Sequence, residues 1–499
     1  MPVSTVLLGP EQIPYGEKLV EISSGGKEIF IISDLHLAAG LNSNGNYDGT
    51  ENFFADNSFV RFIDHLEKKL SQKKKGLLII NGDLIDFLRI RNIPVTQHDF
   101  EIWKQILDDL GSSIPMDLLK SSISPKEVKY GLRTDDFKSV WKLYICGSGH
   151  PMFFKRLALW LQQGNELIIT KGNHDLEWYW KPVRCYFRYL LAQHIASGER
   201  GNVEEILVKV VNPQTHFVDD SLVIDGKIYV EHGHRYENFT TVDGPPVLKG
   251  DTQLNLPFGS FFNRYLINRI ELAYPHIDDV RPRQNILALL LRERFPLALQ
   301  LLFSYIPFTI KIIPKKQYAY ALRYLFHFLL IIVIPILITA FALYKGFPGI
   351  LKSGGSPGTN SPGIWQSVLS ELKNFLFLAL SYLIGRLVAM LQLSAPSTLY
   401  PNASRIFSGN PHLQLVTFGH THDPEQVSEG TIRGKGRRYC NTGTWIPVFE
   451  MDAADVRLDR TYTFLHLETD DGGNVKPCDL FRWNDDAMRE DPLVMIDKK

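Results

Sequence analysis

Cysteine is scarce in this chain of 499 residues: Cys146, Cys185, Cys440 and Cys478 are all it has. They show no CxxC spacing and are too sparse for a disulfide scaffold, so reduced thiols in a cytosolic domain are expected. Net charge is missing too. Lys+Arg and Asp+Glu balance at 54 each, so no global basic excess points to nucleic acid. The opening MPVSTVLLGPEQIPYGEKLVE has neither a basic start nor a long apolar run, so no secretory signal is expected. Internal repeats are absent. What the chain does have is apolar material, at 44% of residues, enough to bury a sizeable core. Its length fits more than one domain or a single elaborated α/β domain with insertions.

Five short apolar runs read as strands buried on both faces: Ile29–Ile32, Leu77–Ile80, Leu167–Ile169, Ile228–Val230 and Leu415–Phe418. Between the first two, Phe59, Phe62, Ile63, Leu66 and Leu70 recur at helical spacing. Ser58 is the expected cap, and Lys73-Lys74-Lys75-Gly76 the expected stop. Strand, helix, strand is a βαβ unit and implies α/β architecture, with ligands held beyond the carboxyl ends of the strands. Residues 89–164 form an aromatic-rich insertion of helical pattern, and 239–411 a longer one with two strongly apolar stretches. The expected layout is a core in two parts, 1–238 and 412–499, around the second insertion.

Each strand ends in chemistry-bearing residues. Ser33-Asp34-Leu35-His36 follows the first; Asp34 and His36, two apart, share a side if the chain stays extended. A carboxylate and an imidazole together suit Mn, Fe or Zn. Asn81-Gly82-Asp83 follows the second; glycine permits close backbone approach, and one carboxylate can bridge two cations. Lys171-Gly172-Asn173-His174-Asp175 follows the third, offering the Asn173 carbonyl as a ligand and His174 as a proton donor. Glu231-His232-Gly233-His234 and Gly419-His420-Thr421-His422 end the last two, again with histidines two apart. Singly, each is an ordinary turn or surface motif. Five in this order go beyond chance.

SDLH, NGD, GNHD, HGH and GHTH, in this order, resemble the calcineurin-like metallophosphoesterase superfamily, as does the following Asn441-Thr442-Gly443-Thr444-Trp445. The motif style is most similar to the UDP-2,3-diacylglucosamine diphosphatase branch, although the large insertions depart from a compact enzyme of that kind. The resemblance implies a metallophosphoesterase-type β-sandwich flanked by helices. It implies that Asp34, His36, Asp83 and His422 hold one divalent metal, and Asp83, Asn173, His232 and His420 a second, with Asp83 bridging. His174 would be the general acid. Two cations about 3.5–4 Å apart stabilise an in-line displacement and lower the pKa of a bound water. The implied activity is hydrolysis of a phosphoester or diphosphate on a phosphorylated small molecule or lipid. His234 receives no firm role.

Tyr324–Tyr344 contains no Asp, Glu, Lys or Arg across 21 residues, and a helix of that length spans about 30 Å, a bilayer core. Phe375–Leu393 is nearly as apolar but carries Arg386, which costs about 2.5–3.5 kcal/mol near mid-bilayer. Because His232 precedes and His420 follows this insertion, the chain must cross a membrane an even number of times between them. A hairpin of both stretches joined by the flexible 353–363 segment satisfies this, and so do two stretches lying on the surface. Lys311, Lys315, Lys316 and Arg323 precede the first stretch and favour a catalytic core on the cytoplasmic side. The expectation is thus a membrane-associated hydrolase. A non-catalytic membrane scaffold retaining the fold is one alternative. A nuclease is another, less favoured because no basic groove interleaved with aromatics is evident.

Overall fold

A computed structural model describes residues 11–70, 74–199, 201–273, 280–281, 290, 293–300, 398–429, 436–450, 460–468 and 480–493. The strands are β1 (Leu19–Ile22), β2 (Glu28–Ile32), β3 (Gly76–Asn81), β4 (Glu166–Thr170), β5 (Thr215–Val218), β6 (Ser221–Ile224), β7 (Ile228–Glu231), β8 (Val280–Arg281), β9 (Leu415–Phe418), β10 (Glu425–Glu429), β11 (Arg437–Asn441), β12 (Phe449–Glu450), β13 (Thr463–Leu467), β14 (Leu480–Asn484) and β15 (Arg489–Pro492). One sheet has seven strands in the order β15-β14-β13-β2-β3-β4-β5, and another has six in the order β1-β6-β7-β9-β11-β10. β8 and β12 pair separately. All five expected strands form, and α/β architecture with two mixed sheets is what results.

Strand alternation explains the layering. On β2, Ile29 and Ile31 join a cluster with Leu77 and Ile79 of β3 and with Leu222, Ile224, Ile228, Val230 and Leu415 of the other sheet. The two sheets therefore pack face to face. Phe30 and Ile32 point the opposite way, into a cluster shared with helices α1 (Asp56–Lys69), α2 (Gln97–Asp109), α3 (Asp136–Gly149), α4 (Pro151–Gln162) and α5 (Lys181–Glu199). The outer face of the six-stranded sheet is covered by α6 (Tyr400–Gly409), whose Ala403 and Phe407 meet Val416, Phe418 and Tyr439. Strands buried on both faces need apolar residues at every position, which is why these runs read as continuous rather than alternating.

Parallel pairing aligns the functional ends. β2, β3 and β4 run parallel in one sheet, and β7, β9 and β11 run parallel in the other. The βαβ unit holds, but its helix boundaries differ from expectation. α1 begins two residues before Ser58, whose hydroxyl donates to Asp485 Oδ2 at 2.8 Å instead of capping. It ends at Lys69, and Gly76 is already the first residue of β3. At the start, a tertiary contact and not a local cap engages the Ser58 side chain.

The chain divides into compact units of Met1–Ile306 with Thr398–Lys499, and Pro307–Ser397. The first unit thus takes in both ends of the 239–411 stretch. The second lies outside the described residues, and with it Tyr324–Tyr344, Phe375–Leu393 and the 353–363 segment. Among the described residues, no helix is long and apolar enough to cross a membrane. Cys146, Cys185 and Cys440 are buried; Cys478 is outside the described residues.

The loop after β2 is anchored from behind. Glu51 accepts hydrogen bonds from the backbone N–H groups of Ala38, Gly40, Asn52 and Phe53. His150, fully buried, sits with Nε2 3.2 Å from Glu51 Oε2 and Nδ1 3.0 Å from Asp56 Oδ2. Burial favours the neutral imidazole, but the two carboxylates outweigh it and push His150 up to about 9. A pKa raised above its unfolded value stabilises the fold fully below about 6.5 and loses that contribution as pH rises through about 9. The shift corresponds to ~3 kcal/mol. His150→Gln should therefore lower unfolding free energy most at pH 6, and the gap from wild type should shrink towards pH 9.5 in urea titrations. A gap independent of pH would contradict the charged-pair account.

Candidate metal centre

The loops leaving β2 and β3 continue to pair beyond the sheet. Asp34 N–H donates to Gly82 O, and the Leu35 and His36 N–H groups both donate to Asp83 O, at 3.0 and 2.9 Å. The loop after β4 joins them: His174 N–H donates to Asp83 Oδ1 at 2.8 Å. From the other sheet, His420 N–H donates to Asp34 Oδ2 at 3.0 Å. Asn81 ties the two sheets together. Its amide donates to Glu231 O, its side-chain oxygen accepts from Thr170, and its backbone carbonyl accepts from His232 Nδ1 at 2.8 Å. Thr444 and Trp445 both donate to Asp34 O, at 2.8 and 3.1 Å, which gives the segment after β11 its place in the site.

Three groups of side chains result: Asp34, His36 and His422; His36, Asp83 and His174; and Asp83, His232 and His420. In each, ligand atoms lie within 4.8 Å of one another. The first group is one expected metal set without Asp83, whose Oδ2 is 3.8 Å from His36 Nε2. The third is the other set without Asn173. Asp83 reaches both, because its Oδ2 is also 3.1 Å from His232 Nε2. Asn173 sits between Gly172 and His174, both against Asp83, and its Oδ1 is buried without a hydrogen bond. Two glycines make this approach feasible: a Cβ at Gly172 would lie 2.0 Å from Asp83 Oδ1, and one at Gly82 2.3 Å from the His232 ring.

The expectation that paired ligands share a side through extended backbone is overturned. Asp34, His36, Asp83, His420 and His422 all have left-handed backbone, with φ of 54°, 52°, 53°, 70° and 60°. They are five of the eight described non-glycine residues with positive φ. Such conformations cost on the order of 1–3 kcal/mol each and persist only where surroundings impose them. Tight left-handed turns, not strand alternation, aim these side chains inward.

The electrostatics ask for positive charge. Burial alone would raise the Asp34 carboxyl, but the imidazoles of His232, His36 and His422 hold it well below the usual carboxylate range. Burial would keep His232 neutral, but Asp83 and Asp34 push it up to about 9. Meanwhile Asp34 Oδ1 and Asn173 Oδ1 are buried atoms with no hydrogen-bond partner. Buried polar atoms are seldom left so. Hard carboxylate and amide oxygens with imidazole nitrogens form a donor set suited to Mn, Fe or Zn.

No protein-family model matches this chain, and no curated protein matches it.

His174 stands at the edge, with its side chain about 20% exposed and Nδ1 2.6 Å from Asp86 Oδ2. Asp86 was not singled out in the sequence; its only signal is a carboxylate three residues after Asp83. It also lies 3.6 Å from His36 Nδ1. Asp175 accepts from the N–H groups of Gly172 and Leu84, locking the third loop to the second. Glu237 carried no sequence signal at all, yet its Oε2 is 3.0 Å from His420 Nε2. His234 lies outside the three groups, its ring 5.5 Å from that of His232. Burial and the neighbouring His232 and His420 hold it well below the ordinary histidine range, so it is neutral. Carboxylates that fix a ligating imidazole typically contribute 10–100-fold to metal affinity. Glu237→Gln should weaken Mn²⁺ binding by about that factor in calorimetric titration. Unchanged binding would show that Glu237 does not orient a ligand.

Proposed function

We propose that this chain is a dinuclear metal-dependent hydrolase of phosphoester or diphosphate bonds, of the calcineurin-like metallophosphoesterase type. The observation that carries the reading is the convergence of Asp34, His36, Asp83, His174, His232, His420 and His422 from five loops on two sheets into three groups linked through His36 and Asp83. The face-to-face packing of the two sheets, with helices outside both, supports a metallophosphoesterase-type β-sandwich. In this reading Asp34, His36, Asp83 and His422 hold one divalent ion, and Asp83, Asn173, His232 and His420 the other. A bound pair of Mn, Fe or Zn ions supplies charge neutralisation for phosphoryl oxygens and acidifies water.

The remaining chemistry belongs to the side chains. With Nδ1–H donated to Asp86, His174 holds its second proton at Nε2, on a side chain about 20% exposed. There it can pass that proton to a departing oxygen. The two carboxylates nearest it, Asp86 and Asp83, raise its proton affinity against burial, as a donor requires. The orphaned ligand atoms also favour a working centre over a scaffold that merely kept the fold. A lipid-linked diphosphate is what the motif resemblance implies, and a membrane-associated insertion with the core on the cytoplasmic side rests on the apolar stretches and basic flank of the sequence.

Asp83→Asn should abolish turnover and lower metal content below two per chain, because the shared carboxylate loses its charge. Purified variant with two metals and normal turnover in a screen of lipid diphosphates, nucleotides and nucleic acid would sink the assignment. His174→Ala should spare metal content and slow esters with poor leaving groups by roughly 10²–10⁴-fold, with a much smaller loss on p-nitrophenyl esters. Equal losses on both would argue against a proton donor.

A further inference from the structure

A buried chain of charges runs from the active centre into the second insertion. Asp86 Oδ2 accepts from His174 Nδ1 at 2.6 Å and also from Arg89 Nε at 3.1 Å. Arg89 Nη1 in turn donates to Glu271 Oε2. Asp86, Arg89 and Glu271 are 0%, 2% and 1% exposed. One turn earlier than Glu271, Asn268 Nδ2 donates to the Leu88 carbonyl at 2.8 Å. Asn268 and Glu271 both lie on the short helix Asn268–Glu271, within the 239–411 insertion.

The two oxygens of Asp86 are divided in a telling way. Oδ1 accepts from the N–H groups of Leu88 and Arg89, a purely local turn. Oδ2 alone holds His174, and it is Oδ2 that Arg89 grips. A guanidinium is a rigid planar fork, so its orientation is set by whatever holds its far side. Glu271 is an anchor there, in a place that water does not reach. An Arg89 without it would carry a buried charge short of a carboxylate partner, and would shift or draw in solvent. Either change moves the oxygen on which the His174 ring depends.

We propose that Arg89 and Glu271 are positioning residues for His174, so that the stem of the insertion braces the proton donor and is a working part of the active centre. This rests on His174 being the general acid. In metal-loaded protein labelled with ¹⁵N-histidine, the Nδ1 proton bonded to Asp86 is assigned by its loss in His174→Ala. In Glu271→Gln this resonance should move and exchange with water about tenfold faster or more. Turnover of Glu271→Gln should fall roughly 10–100-fold on phenyl or alkyl phosphate esters, in kcat rather than KM, with far less loss on p-nitrophenyl esters. In a His174→Ala background the same substitution should cost nothing further on the poor leaving groups. Arg89→Lys, which keeps the charge but not the fork, serves as the second variant if Glu271→Gln does not fold, and should give the same pattern. An unchanged resonance, or losses equal on both ester classes and additive with His174→Ala, would overturn the proposal. If the wild type cleaves no phosphoester, the functional reading fails, and the resonance alone still decides whether Glu271 braces His174.

Discussion

The centre of this molecule depends on one buried carboxylate, Asp83. Its Oδ1 accepts the His174 N–H, while its Oδ2 faces His232 Nε2 at 3.1 Å and His36 Nε2 at 3.8 Å. Those contacts come from three loops and both sheets. A buried carboxylate is expensive unless positive charge or donors surround it. The arrangement therefore holds only if the carboxyl ends of β2, β3 and β4 meet those of β7 and β9 at one rim. The sandwich core of Ile29, Ile31, Leu77, Ile79, Leu222 and Val230 provides that alignment.

The cost appears locally. Candidate ligands in left-handed backbone, glycines pressed against Asp83 and His232, and buried oxygens of Asp34 and Asn173 without hydrogen bonds would each destabilise an ordinary turn. Supports around the centre offset this. Asn81 fastens β3 to β4 and β7, Glu51 and His150 hold the loop behind His36, and Thr444 and Trp445 secure Asp34. Such concentrated strain, over-determined by its surroundings, is the physical signature of a site built for a task.

Much of the site was legible in the sequence because its residues cluster in short motifs after apolar runs. Asp34, His36, Asp83, His174, His232, His420 and His422 all come together as those motifs imply. The residues that steer them were not legible. Asp86, Arg89, Glu237 and Glu271 act across the fold, and nothing in their immediate neighbours marks a carboxylate or guanidinium as a partner of a distant imidazole. The backbone conformation is not legible in the sequence for a related reason. Spacing of two implies a shared side only in extended chain, whereas here left-handed turns produce it.

By itself, then, the sequence determined which segments become buried strands, that a helix links β2 to β3 in parallel, and which side chains stand at the strand ends. These follow from apolar patterning and from the short reach of local chemistry. The tertiary structure alone decided which strands make up each sheet, where α1 starts, and how Glu271 reaches Arg89 from 182 residues away in the chain. Those outcomes depend on burial and electrostatic complementarity between distant segments, which a linear pattern does not encode.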